Sequence, residues 1–131
     1  MIGLDSNILI RYLVQDDVAQ ARKVNHFIEE SLSPESPGFI NQIGLCEIVW
    51  VLKRRYGVEK PALIDIIDSL LTTKQLVVEN LEVAWRALRT FEAGNADFSD
   101  AMIACVNQFQ GCEYTVTFDR KASKLATVKL L

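Results

Sequence analysis

The strongest constraint on the fold of this chain is a regular alternation of short apolar segments with longer amphipathic ones. Strands are predicted at residues 1–5, 39–41, 75–79, 114–117 and 127–130. Helices, with apolar residues at helical spacing, are predicted over 7–14, 17–32, 43–56, 60–73, 81–93, 98–109 and 120–125. Because strands separated by helices are typical of parallel sheets, the pattern predicts an α/β domain with a central, mainly parallel sheet and helices on both faces.

Glycine and proline mark the boundaries of these segments. The segment 33–38 contains two prolines and a glycine and predicts a break between the second helix and the second strand. Gly57 and Gly94 are expected to end helices, and Asn80 to cap the helix over 81–93. With 131 residues and no linker or repeat, the chain is expected to form a single domain, residues 1–131.

Composition narrows the class of partner and the compartment. The net charge of −3 argues against a protein that binds nucleic acid through an overall positive charge. It does not argue against an enzyme whose carboxylates bind cations. No apolar run approaches the roughly 18 residues of a membrane helix. A strand follows Met1 at once, so we expect no signal peptide, no membrane association and a cytoplasmic location.

The three cysteines have no metal-ligand spacing. Cys46, Cys105 and Cys112 are odd in number and are expected to be buried free thiols, which favours a reducing compartment.

Five acidic residues occupy positions where helices begin. Asp5 and Asp119 follow predicted strands, and Glu47 and Asp100 are placed in the first turns of predicted helices. Each has a purely structural interpretation. Asp5 and Asp119 are suitable helix caps, Asp97 with Asp100 resembles a capping box, and Glu47 would favour the helix dipole.

Taken together, the acids indicate a cation site. The carboxyl ends of parallel strands meet at one edge of a sheet, so we expect Asp5, Glu47, Asp100 and Asp119 to converge there. Such a cluster is stable only if it is protonated or bridged by a divalent cation. Oxygen ligands suit Mg²⁺ or Mn²⁺, and such ions support hydrolysis of phosphodiesters.

Several neighbours of these acids have polar or basic side chains. Ser6 and Thr117 could orient a carboxylate or a bound water, and Asn7 could hold Asp5, although a plain turn or cap role is equally open for each. The basic residues after Asp119 could contact a nucleic-acid backbone or form a solvated face: Arg120, Lys121 and Lys124. The cluster over 53–55 is interpreted as a solvated face.

Four segments resemble the motifs of PIN-domain nucleases, in order and at similar spacing: Ile2–Asn7, Leu45–Leu52, Ala96–Ala104 and Thr115–Asp119. The resemblance covers essentially the whole chain. A stand-alone domain of this size is similar to the VapC toxins of bacterial and archaeal toxin–antitoxin pairs. Ser6 stands where threonine is commoner in that family, and Arg120-Lys121-Ala122 stands where many relatives have an acid and an aromatic residue.

The resemblance implies a three-layer α/β/α fold and a Mg²⁺- or Mn²⁺-dependent endoribonuclease. It also implies a homodimer that a small VapB-type antitoxin neutralises. By motif, the metal-binding catalytic residues would be Asp5, Glu47, Asp100 and Asp119, with Asp97 as an accessory ligand and Asn7 and Thr117 in supporting roles.

The residues leave one alternative function open and argue against another. A catalytically inactive PIN module that serves as a scaffold is the alternative. A phosphoacceptor receiver would need an aspartate ending the third strand and a lysine ending a later one, and the chain has neither.

Apolar residues on the first two helices form either a groove for an amphipathic antitoxin segment or a cover for the sheet: Ile10, Tyr12, Leu13, Val18 and Phe27. Trp50 and Trp85 are interpreted as core or interface residues.

Overall fold

Strands and helices alternate in the order that the sequence predicts. A computed structural model describes all residues, 1–131. The strands are β1 (Ile2–Gly3), β2 (Gly38–Ile40), β3 (Leu76–Val78), β4 (Thr115–Thr117) and β5 (Val128–Leu130). The helices are α1 (Ser6–Val14), α2 (Val18–His26), α3 (Gln42–Tyr56), α4 (Lys60–Thr72), α5 (Leu81–Ala93) and α6 (Phe98–Phe109). The α/β class and the three-layer arrangement are confirmed.

All strand pairs are parallel, and they form two ladders. β1, β2 and β3 make a three-stranded sheet in that order, with Ile2 opposite Gly38 and Phe39 opposite Val77. β4 and β5 pair separately, with Thr115 opposite Val128. The predicted central sheet is therefore divided, because no backbone hydrogen bonds join β4 to β1.

Three predicted elements differ in detail. The first strand was predicted over 1–5 but covers only Ile2–Gly3, because only this stretch pairs with β2. The helix predicted over 17–32 ends its α-helical part at His26 and continues as a π-helical turn, Phe27–Ser31. The short helix predicted over 120–125 is a single 3₁₀ turn, Ala122–Lys124.

The main core lies between the sheet and the helices α3 to α6. Its fully buried side chains include Leu45 and Ile48 of α3, Leu63 and Ile67 of α4, and Val83 of α5. A smaller cluster lies under α2 and the π-helical turn: Val24, Ile28 and Leu32. Each helix of the fold is either too short or too polar to span a bilayer.

Two glycines fit positions that other residues would strain. Gly57 ends α3 with a φ of 63°, in the left-handed region. Gly38 begins β2, where an added Cβ would lie 2.6 Å from Cδ1 of Leu4 and 3.0 Å from Cδ1 of Leu32. The break at residues 33–38 therefore ends on a residue that lets β2 approach these side chains.

Burial corrects several predictions about individual residues. Cys105 is buried, but Cys46 is half-buried and Cys112 is exposed, so the prediction of three buried thiols is wrong.

Asn80 occupies the cap position of α5 without a side-chain hydrogen bond, because its backbone is left-handed, with a φ of 50°. Trp85 is half-buried against the main core, whereas Trp50 is 52% exposed.

The apolar residues of the first two helices mainly cover the core. Ile10 is buried, Leu13 packs against the main core, and Tyr12 and Phe27 pack against the smaller cluster. Only Val18, which is 72% exposed, is free to contact a partner. The structure therefore favours the covering role over a groove between α1 and α2.

Candidate active site

Asp5 and Glu47 lie along the same depression, which also touches Ser6 and Asn41. Asp5 precedes α1 at its cap position, but its carboxylate makes no capping bond. Its Oδ2 instead accepts a hydrogen bond of 3.1 Å from Nδ2 of Asn7. Asn7 therefore contacts Asp5 as expected, whereas the side chain of Asp5 does not cap α1.

Glu47 is bound to the start of α1 by Ser6. The Ser6 hydroxyl donates to Oε1 of Glu47, and the Ser6 side chain is the only buried polar one in the protein. Glu47 is the sixth residue of α3, in its second turn, and the first turn holds no acidic residue. The interpretation of Glu47 as a partner of the helix dipole is therefore wrong.

Asp100 lies in the first turn of α6, close to two other acids. Burial raises the pKa of its carboxyl above the usual value, and the negative charges of Asp119 and Asp97 raise it further. The backbone N–H of Asp97 acts in the opposite direction. A cation at this point would relieve the repulsion among the three carboxylates.

The capping box predicted for Asp97 and Asp100 is realised only in part. Asp97 occupies the cap position of α6, but its side chain makes no capping bond. Its Oδ1 instead accepts from Nζ of Lys53 at 3.0 Å, in an exposed salt bridge. Lys53 therefore offsets the charge of this accessory acid.

Asp119 follows β4 and shapes the turn after it. Its Oδ1 accepts from the backbone N–H groups of Lys121 at 2.8 Å and Ala122 at 3.0 Å, as the capping interpretation predicts. Thr117 accepts from the backbone N–H of Asp119 at 3.0 Å, so its hydroxyl supports the turn. Arg120, Lys121 and Lys124 are all exposed around it.

The acids fit a hard cation in their chemistry. They offer oxygen ligands only, and the crowding of negative charge around Asp100 favours a divalent ion. No three acidic, histidine or cysteine side chains close around a single point, however. The four acids that were expected to converge therefore lie as two pairs: Asp5 and Glu47 line one depression, and Asp100 lies near Asp119, which follows a strand that is not paired with β1.

Residues that the sequence analysis did not assign to the site lie beside Glu47. A depression of about 510 Å³ is lined by Glu47 and Asn7 together with Arg11, Trp50, Arg55 and Tyr56. Arg11 and Tyr56 are far apart in sequence, so no local pattern pairs them. Trp50 follows Glu47 by three residues on α3, and this helical spacing is the one signal that could have placed it here.

Comparison with known proteins identifies the family of the chain. A VapC ribonuclease from Aquifex aeolicus (strain VF5) is 20% identical over 122 residues, which cover 93% of this chain and 90% of that protein. A family model described as the PIN domain matches residues 2–128. Since this match spans nearly the whole chain, the protein belongs to the PIN domain family.

Proposed function

We propose that this chain, a single PIN domain over residues 1–131, is a Mg²⁺- or Mn²⁺-dependent endoribonuclease and the toxin of a VapBC-type pair. Membership of the family and the similarity to a protein named VapC ribonuclease support a nuclease. The observation that carries the proposal is the shared depression of Asp5 and Glu47, in which each carboxylate is oriented by a neighbour on α1.

Each acid has a distinct part in this proposal. As two pairs, Asp5 with Glu47 and Asp100 with Asp119 would hold one or two ions, with Asp97 as an accessory ligand. The bound ion would supply a Lewis acid for the phosphodiester and lower the pKa of a water. Asn7 orients Asp5, Ser6 orients Glu47, and the turn after Asp119 engages only Oδ1, so its second carboxylate oxygen has no hydrogen bond within the protein.

The test measures RNA cleavage and metal binding on the same preparations. Asp5→Asn and Asp100→Asn should abolish cleavage, and chelation by EDTA should do the same until Mn²⁺ is restored. Asp65→Asn, at an exposed aspartate of α4, is the matched control and should cleave normally. Full activity in EDTA would exclude the metal-dependent mechanism, and metal binding without cleavage of any RNA would favour the scaffold alternative.

The proposal includes two protein partners, a VapB-type antitoxin and a second copy of this chain. Alternate residues of β4 and the residues flanking it are exposed and apolar, so they form one face: Tyr114 (44%), Val116 (54%) and Phe118 (81%). Exposed apolar surface of this kind is typical of an interface. Phe118→Ala should shift the protein from dimer to monomer in light scattering, and a monomeric parent protein would exclude the dimer.

We infer the cellular compartment of this protein from its proposed substrate and partner. RNA cleavage by a toxin with a VapB-type partner belongs to the cytoplasm, which is the location we propose. Expression of the chain alone should arrest growth, and co-expression with a small VapB-type antitoxin should relieve that arrest.

A further inference from the structure

Two depressions meet at Trp50 and Ser99 and together form what we call the Trp50 groove. The larger, of about 510 Å³, also touches Glu47 and Arg55, and the smaller, of about 370 Å³, touches Arg54 and Asp100. Each lies within the range of ordinary ligand sites. The groove thus passes between residues that the proposed function assigns to catalysis.

Trp50 presents a flat apolar surface in the middle of this groove. Its side chain is 52% exposed, although both of its neighbours in α3, Val49 and Val51, are buried or half-buried. An exposed indole beside polar and charged groups is suited to stacking on a nucleobase, because every base has a π-face.

Two cations flank Trp50 without a carboxylate partner. Lys53 is bound to Asp97 at 3.0 Å, but neither Arg54 nor Arg55 takes part in a salt bridge. Arg55 lines the larger depression and Arg54 the smaller one, so a positive charge lies in each half of the groove. Arginine at such positions is suited to contacts with phosphate.

We propose that the Trp50 groove binds single-stranded RNA, with a base stacked on Trp50 and the adjacent phosphates contacted by Arg54 and Arg55. The inference rests on the proposed function and names the part of the substrate that this surface holds. It differs from the sequence-based prediction, which gave the backbone contacts to Arg120, Lys121 and Lys124.

The charges of the side chains that line the Trp50 groove favour RNA, rather than a second copy of this chain, as the molecule that binds there. A twofold interface over the groove would bring Arg54 and Arg55 of both subunits into one contact patch, where four like charges would have to be accommodated. An RNA strand instead brings phosphates to these unpaired cations. Of the carboxylates that line the groove, Asp97 is paired with Lys53, and neither Glu47 nor Asp100 forms a salt bridge with Arg54 or Arg55.

Binding is measured on the full chain in an Asp5→Asn background with Mg²⁺, so that the RNA stays intact. The probe is a fluorescein-labelled single-stranded RNA of about ten nucleotides, within the span of such sites. Trp50→Ala should weaken binding about tenfold or more, and Trp50→Phe should restore most of the affinity. Trp85→Phe, at the other tryptophan, should bind as the parent does, and its remaining Trp50 fluorescence should be quenched by the RNA.

The arginines are tested through the dependence of affinity on salt. Arg54→Gln with Arg55→Gln should lower the affinity and reduce the slope of log K against log salt by about 0.7 for each lost contact. Arg22→Gln, at an exposed arginine of α2 with no salt bridge, is the matched control and should leave the slope unchanged. Equal affinity of Trp50→Ala and the parent, or an unchanged slope, would overturn the inference.

Failure of this inference is distinguishable from failure of the proposed function. If Trp50→Ala cleaves RNA with an unchanged KM while Asp100→Asn is inactive, the nuclease stands and the groove is not its RNA site. If Trp50→Ala converts a dimer to a monomer without loss of RNA affinity, the groove belongs to a second copy and the inference is wrong. If RNA quenches the fluorescence of Trp50 but no metal ion supports cleavage, the groove binds RNA and the proposed nuclease activity is wrong.

Discussion

The hydroxyl of Ser6 donates a hydrogen bond to Oε1 of Glu47 and so joins the first turn of α1 to the second turn of α3. Ser6 is 3% exposed, whereas Glu47 is exposed on the side of the candidate site. A buried donor of this kind fixes the direction of the carboxylate from beneath. Under the proposed function, Ser6 is a positioning residue for Glu47.

Removal of this hydroxyl should affect activity more than stability. Ser6→Ala should lower the free energy of unfolding by about 1 kcal/mol, because one hydrogen bond is lost. It should lower kcat for RNA cleavage on the order of tenfold or more, as loss of a residue that orients a metal ligand does, with a smaller change in KM. Ser6→Thr keeps the hydroxyl and should retain most of the activity, and equal rates for Ser6→Ala and wild type would contradict the role.

The packing of α3 is tested by two residues that differ mainly in burial. Leu45 is 0% exposed in the main core, whereas Ile43 is 79% exposed on the same helix. Leu45→Ala should lower the free energy of unfolding in urea by about 2–5 kcal/mol, because it leaves a cavity. Ile43→Ala should change it by less than about 0.5 kcal/mol, and similar losses for both variants would show that α3 packs on a different face.

Local patterns predicted the helices well because their ends carry strong signals. The helix predicted over 43–56 ends at Tyr56, before the left-handed Gly57, and the one predicted over 98–109 has the same bounds in the structure. Strands are defined by their partners, which local patterns do not contain. The length of β1 and the separation of β4 from β1 therefore could not be predicted.

The contacts of the candidate site could likewise be predicted only where they join residues that are close in sequence. Asp5, Asp100 and Asp119 could be identified because they follow strands or begin a helix, and the contact between Asn7 and Asp5 spans only two residues. The contact between Ser6 and Glu47 spans 41 residues, and that between Arg11 and Tyr56 spans 45. Such pairs depend on how α1 packs against α3, which periodicity alone does not determine.

The network at the end of α1 should make stability depend on pH. The Tyr56 hydroxyl donates to Oδ2 of Asp16 at 3.0 Å and lowers the pKa of that carboxyl, and the charge of Arg11 at 3.0 Å lowers it further. A carboxyl whose pKa is lowered by folding stabilises the fold at pH values above its ordinary pKa of 3.8. This contribution is lost as the pH falls through the lower pKa of the folded state.

Replacement of this carboxyl should therefore matter only where it is ionised. Asp16→Asn should lower the Tm slightly at pH 7, since the pair is exposed. The deficit should shrink as the pH falls below 3.8 and wild-type Asp16 takes up its proton. Asp68→Asn, at an exposed aspartate of α4 without a salt bridge, should give no deficit that varies with pH, and a constant deficit for Asp16→Asn would show that the charge is not the cause.

The three thiols should react with a soluble alkylating reagent at very different rates. Cys112 is exposed after α6 and should be modified first at pH 7.5, because the reagent reaches it without unfolding. Cys46 is half-buried, and burial raises the pKa of its thiol, so little of the reactive thiolate is present. Cys105 is buried and should react only after the protein unfolds.

Mass spectrometry of partly alkylated protein checks this order. Cys112→Ser should remove the fast phase, whereas Cys105→Ser should leave it unchanged. Full alkylation in urea should then modify all three cysteines of the wild-type chain. Fast modification of Cys46 in the folded protein would contradict its position in the structure, because Cys46 lies next to Glu47 on α3, against the main core.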